Sequence, residues 1–212
     1  PNPPALVMKV SGSGASYMDK KMLLRRYYQV KKTVKGKSLP NVYMIHGEFT
    51  NEEMNEIYNH SKIKAMVSLT KGEGFGRPLL EFSLTKKPIM VSGWSGHMDF
   101  INPEFSLTIG GTLNKVDKSA VVPNMILPES EWFSPKPADI GNGYKSILKN
   151  YKKHLELAKR QAHHSKTNFS WKAMDTLLSS HLDKNIPKFA KQVTLNLPNL
   201  NTSNKLELPK LK

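Results

Sequence analysis

Glu73-Gly-Phe-Gly-Arg-Pro-Leu-Leu-Glu81 is a glycine turn that runs straight into a helix, framed by two acidic residues. Gly74 and Gly76 lack the side chains that would keep a ligand from the backbone, so their N–H groups can meet an anion. The start of the helix adds the positive end of its dipole. Glu73 lies in the turn and Glu81 in the first helical turns, so both can face one ligand. Phosphate and several hydroxyls on one molecule suit that combination, and a nucleotide-sugar is such a molecule. Phe75 is expected to pack beneath the turn.

The surrounding pattern alternates strands and helices. Ala5–Val10 reads as a buried parallel strand, Asn41–Ile45 as a second, Ala65–Leu69 as a third and Ile89–Val91 as a fourth, with Ser106–Ile109 a fifth. Between them, Leu23, Tyr27, Val30 and Val34 share one helical face, closed by Gly36 and Pro40. Thr50 and Glu53 form a capping box ahead of Met54, Ile57 and Tyr58, and Pro78 sits in a first helical turn, where proline is tolerated. This order predicts an α/β protein with a doubly wound, Rossmann-like parallel sheet, whose ligands bind off the carboxyl ends of the strands.

Residues 110–137 read as one long connection. Tyr144, Ile147, Leu148, Tyr151, Leu155, Ala158 and Ala162 then recur at helical spacing, with Lys145, Lys149, Lys152 and Lys153 on the other faces. A last helix near Ser170–Leu182 presents Trp171, Met174, Leu177 and Leu178. The tail repeats Leu195-Asn-Leu-Pro-Asn-Leu200 as Leu206-Glu-Leu-Pro-Lys-Leu211, which suits either an edge-pairing hairpin or a disordered end.

The 212 residues provide ample chain for a core, and without cysteine there is no disulfide framework, thiolate metal site or cysteine nucleophile. No apolar run reaches the ~20 residues needed to span a bilayer, and the first residues lack the pattern of a signal peptide, so the expected location is cytoplasmic. Lys and Arg total 32 against 17 acidic residues, a net charge of +15. That balance favours anionic partners such as nucleotides, nucleic acid, anionic polysaccharide or, peripherally, an acidic lipid surface. The lysines are scattered along helices, however, which equally describes a soluble surface.

The glutamate-framed turn resembles the Glu-Gly-Phe-Gly-x-Pro-x-x-Glu signature of retaining glycosyltransferases of GT-B fold, the "group 1" or family-4 enzymes. Lys87-Pro-Ile-Met-Val-Ser-Gly-Trp-Ser-Gly-His-Met-Asp-Phe100 resembles that family's next strand and loop. The likeness runs over about residues 5–183 in order of elements. It implies a hexosyltransferase-like enzyme and makes this chain the donor-binding, C-terminal half, its partner an absent N-terminal domain. The implied organisation is a nucleotide-sugar-binding domain over 1–137, C-terminal helices packing on it over 138–183, and an extended or partly disordered tail over 184–212.

By the same resemblance Glu81 holds the donor ribose, and Glu73 orients the sugar and stabilises the charge that builds at its anomeric carbon. Gly74, Phe75 and Gly76 offer main-chain N–H groups to sugar or diphosphate. The nucleotide base docks near Tyr43 and His46, which end the second strand, and Ser95 and His97 line the sugar side. The family meets the leaving diphosphate with basic groups and needs no metal. Its usual Arg/Lys pair precedes the first strand seen here, leaving Lys9 and Arg77 as substitutes. Each also has a local reading, Lys9 closing its strand and Arg77 pairing with a neighbouring acid. Gly12-Ser-Gly-Ala-Ser16 lacks the third glycine and the later acid of a dinucleotide fingerprint. No histidine–carboxylate cluster has metal-ligand spacing. A reading from another class remains open, a non-catalytic basic module for nucleic acid or anionic surface polysaccharide.

Overall fold

A computed structural model describes residues 4–10, 14, 16–36 and 39–187. The chain divides into two units, Pro1–Ser170 and Trp171–Lys212.

In the first unit, strands β1 (Leu6–Val10), β2 (Val42–His46), β3 (Met66–Ser68) and β4 (Ile89–Ser92) alternate with helices α1 (Tyr17–Thr33), α2 (Asn51–Asn59) and α3 (Arg77–Ser83). β5 (Leu107–Ile109) follows β4 after a short 3-10 turn, Gly96–Asp99. All pairings among these strands are parallel: β1 with β2 in the register Leu6↔Val42, and β3-β4-β5 through Met66↔Ile89 and Met90↔Leu107. The two parallel groups are not hydrogen-bonded to one another. This is the α/β, Rossmann-like architecture that the alternation implies. The capping boxes are formed, Ser16 with Asp19 and Thr50 with Glu53.

β4 is the buried centre. Ile89 and Val91 face Leu79 and Phe82 of α3 together with Phe100 and Ile101. Met90, pointing the other way, packs with Ile109 and with Ile147 of α4 (Pro137–Lys149). The two faces follow from the period of two along a strand, and coverage on both sides makes β4 apolar almost throughout. Gly143 lets α4 close onto that face, since a Cβ there would lie 2.4 Å from Met90 Sδ.

The structure differs from the sequence expectations in three places. β1 is exposed rather than buried: Leu6, Val7 and Met8 keep 39%, 38% and 37% of their surface, and no residue of α1 is buried. Hydrogen-bonded only to β2 and packed on no helix among the described core clusters, β1 lacks what would bury it. The stretch 110–137 is not one connection but carries an antiparallel hairpin, β6 (Gly111–Lys115) with β7 (Glu131–Pro135). Its strands are short and polar, so the apolar pattern is weak. The expected long helix is two, α4 and α5 (Tyr151–Asn168), broken at Asn150 with φ −117° and ψ 33°. Ile147 and Tyr151 pack on one cluster across that break, so periodicity recorded the face and not its continuity.

A buried amide fastens α5 to the sheet. Gln161 donates from Nε2 to the Phe100 carbonyl (2.7 Å) and to Ser165 Oγ (3.0 Å), while its Oε1 accepts from the Asn102 N–H (2.9 Å). Ser165 Oγ in turn accepts from Ser83 Oγ of α3 at 2.8 Å.

The described part of the second unit is helix α6 (Trp171–Asn185), on which Trp171, Leu177 and Leu178 are exposed. The leucine repeats at 195–211 lie outside the described residues. Among the described residues no helix is long and apolar enough to cross a membrane.

Replacing Gln161 by Ala should lower the unfolding free energy by about 2–4 kcal/mol in urea melts, because it strands the Phe100 carbonyl and the Asn102 N–H and leaves a void. A loss below ~0.5 kcal/mol would show that this network does not anchor α5.

Candidate functional site

The carboxyl ends of β3 and β4 lead into two loops that lock together. Gly76 caps α3 in the left-handed region (φ 86°), and a Cβ there would come within 2.9 Å of His97 Cβ. Gly96 sits tighter still, with a hypothetical Cβ 1.8 Å from the Gly74 carbonyl oxygen. Glycine is therefore a packing requirement at both positions and, at Gly76, a conformational one as well.

Glu73 is held by its main chain. Its N–H donates to Ser95 Oγ (2.9 Å), and its carbonyl accepts from Ser95 Oγ (2.7 Å) and from the Gly96 N–H (3.0 Å). Ser95 adopts φ 85°, ψ −173°, a region that is nearly glycine's alone and costs another residue about 1–3 kcal/mol. The N–H groups of Gly74, Phe75 and Gly76 make no hydrogen bond to the described residues. Phe75 is half-exposed above the turn's floor, its ring 5.2 Å from that of buried Phe100.

Glu81 stands on α3 with a different set of neighbours. Arg77 Nε donates to Glu81 Oε1 at 2.6 Å and Arg77 Nη2 to Asn51 Oδ1 at 2.9 Å, so Arg77 bridges α3 to α2. With side chains 67% and 38% exposed, this i,i+4 pair contributes ~1 kcal/mol or less and can exchange for a ligand. Glu81 lines a cavity of about 220 Å³ with Asn51, Asn55, Tyr58, Asn59, Leu84 and Thr85. Burial, and next the charge of Glu81, raise the Tyr58 hydroxyl above its ordinary pKa, against a smaller opposite pull from Arg77. Glu73 is not part of this lining; it precedes the seven-residue helix that carries Glu81, and the two acids do not share that cavity.

The remaining candidates scatter. His97 is fully buried and donates from Nε2 to the Ser92 carbonyl at 2.7 Å, since a carbonyl can only accept. Its Nδ1 is buried with no partner among the described residues. It therefore props the loop from below, and the expected contact with a ligand is corrected by its burial. Ser95 likewise spends its hydroxyl on Glu73. Tyr43 is the second residue of β2 and does not end the strand, so about 10 Å of extended chain separates it from His46. His46 closes β2, with Nε2 buried and without a partner among the described residues, and pairs in register with Val10. Lys9 places its ammonium 5.8 Å from the Phe49 ring. Ser16 is committed to its capping box, and Ser11, Gly12, Ser13 and Ala15 lie outside the described residues. Among the described residues no three His, Asp or Glu side chains gather as a metal site.

Sequence reading passed over the amide row on α2. Asn51, Asn55 and Asn59 recur every four residues, a spacing that puts them on one helical face. Three of them beside Tyr58 would have signalled a polar cleft. It also passed over the aromatic platform by the second loop, where Trp94 stacks on Phe133 (centroids 6.2 Å apart, 7° between planes) and Lys71 covers Trp132 at 3.9 Å.

No protein-family model matches the chain, and no curated protein matches its sequence. Solved structures do match. A sucrose-phosphate synthase from Thermosynechococcus elongatus superposes with a TM-score of 0.57 at 17% identity, covering 83% of this chain and 37% of its own. The Anabaena protein HepE, solved in complex with UDP-glucose, does so with a TM-score of 0.56 at 12% identity, covering 86% of this chain and 42% of its own. At such identities the likeness shows the fold alone, an α/β, Rossmann-like architecture that this chain shares with part of each of these two proteins. The chain spans about two fifths of the length of these neighbours.

The loop lock predicts opposite outcomes for two alanines. Gly96→Ala should destabilise by about 2–4 kcal/mol through collision with a backbone oxygen. Gly74→Ala, whose Cβ meets nothing within 4 Å, should stay within ~1 kcal/mol of the parent. Thermal melts of the two variants decide it, and equal effects would refute the interlock.

Proposed function

We propose that this chain is the donor-binding half of a glycosyltransferase that moves a sugar from a nucleoside diphosphate-sugar to an acceptor hydroxyl with retained configuration. The observation that carries the reading is the placement of Glu81. It pairs with a displaceable arginine and opens onto an amide-lined cavity, next to a turn with unengaged main-chain N–H groups. A cavity of about 220 Å³ is below the 300–1,000 Å³ of whole-ligand sites and suits the nucleoside portion.

Glu81 accepts hydrogen bonds from the two ribose hydroxyls, taking the place its oxygen now gives to Arg77. The freed guanidinium and Lys9 are this chain's candidates for countering the diphosphate, with no metal invoked. The glycine turn lends its N–H groups to the sugar–diphosphate side, where Glu73 orients the sugar and stabilises positive charge at the anomeric carbon as the diphosphate departs. The acceptor and the remaining catalytic groups belong to the other half. That HepE was solved with UDP-glucose supports a nucleotide-sugar as the donor class.

Calorimetry with UDP, GDP and ADP tests the assignment. Each hydrogen bond to an ionised carboxylate contributes about 1.5–3 kcal/mol, so Glu81→Ala should weaken the preferred nucleotide roughly 10–100-fold. Binding of every nucleotide as tightly as in the parent would refute the ribose role. Raising salt from about 50 to 200 mM should cost less than ~10-fold, whereas binding through many phosphates loses 10³–10⁵.

A further inference from the structure

We infer that Ser95 is a positioning residue for Glu73, a role that rests on the proposal that Glu73 faces the donor sugar. Its single hydroxyl engages both main-chain polar groups of Glu73, accepting from the N–H at 2.9 Å and donating to the carbonyl at 2.7 Å. The link joins two loops that are 22 residues apart in sequence. Nothing else fixes the residue so directly. Gly74 and Gly76 follow it in the turn, and no hydrogen bond or ion pair to the described residues is made by its carboxylate.

The backbone of Ser95 argues that the hydroxyl is the reason a serine stands there. At φ 85° and ψ −173° a glycine would be at ease and a serine is strained. Gly96, next in line, reinforces the hold with its N–H to the same carbonyl at 3.0 Å. Two contributions can therefore be separated by substitution. Ser95→Gly removes the hydroxyl and the strain together, while Ser95→Ala removes the hydroxyl and keeps the strain.

The full 212-residue chain serves for the test, with Glu73→Ala as reference. Binding of UDP and UDP-glucose, and of GDP and GDP-mannose, gives for each variant the preference for sugar-bearing over sugar-free nucleotide. Amide exchange at Glu73 and thermal melts complete the set. Ser95→Gly should melt about 3–6 °C above Ser95→Ala. Both should exchange the Glu73 amide at least ~10-fold faster than the parent, and both should lose the sugar preference to the level of Glu73→Ala. A Ser95→Gly chain that keeps the parent's preference while Glu73→Ala loses it overturns the positioning role and leaves the Glu73 assignment standing. If the parent shows no preference, or Glu73→Ala retains it, the underlying reading fails and this one falls with it. Equal melting of the two Ser95 variants would overturn the strain argument, and an unchanged Glu73 amide would overturn the clamp itself.

Discussion

Close approach of two backbone segments, Gly96 against the Gly74 carbonyl, is the constraint from which the rest of the site follows. It needs a residue with no Cβ, a second left-handed glycine at Gly76 to turn the chain into α3, and a donor for the Glu73 carbonyl. Once these are met, the position of α3 is set, and with it Glu81 and Arg77. Buried His97 fills the space under Gly76 and ties that layer to the end of β4 through the Ser92 carbonyl. The polar geometry of the site thus hangs on steric fit rather than on charge, since the Arg77–Glu81 pair is exposed.

That fit in turn depends on β4 being immobile. Its four residues are buried, and the two faces of the strand are packed by different helices, α3 on one and α4 on the other. Gly143 permits the approach of α4, and the Gln161 amide holds α5 against the segment that follows the Gly96–Asp99 turn. The loops at the carboxyl end of β4 are therefore built on the most rigid part of the unit, as precise ligand placement demands.

What could be read in advance divides along physical lines. Capping boxes at Ser16 and Thr50, the strand at Ile89 and the turn at Glu73–Gly76 are local, and their chemistry is written in adjacent residues. The hairpin at 111–135 eluded that reading because Thr112 and Asn114 carry no apolar alternation, and its pairing is a contact between distant segments. The break at Asn150 eluded it because both helices bury the same face. At the site, the glutamates and glycines were visible as types, but which groups each touches was not. Ser95 and His97 were legible as candidates for a ligand, but not their bonds to the Glu73 main chain and the Ser92 carbonyl, and the amide row of α2 acquired meaning only once Glu81 was seen to face it.

The exposure of Leu6, Val7 and Met8, with an α1 that buries nothing, has a thermodynamic corollary. Burial energy is concentrated around β4 and almost absent from β1, α1 and β2, so cooperativity cannot be uniform along this chain. The β1–β2 pair is expected to open at lower cost than β4, whose amide protons should exchange the more slowly. Burial of this kind implies a gradient of local free energy, lower at Lys9 and His46 than beneath the glutamate-bearing turn.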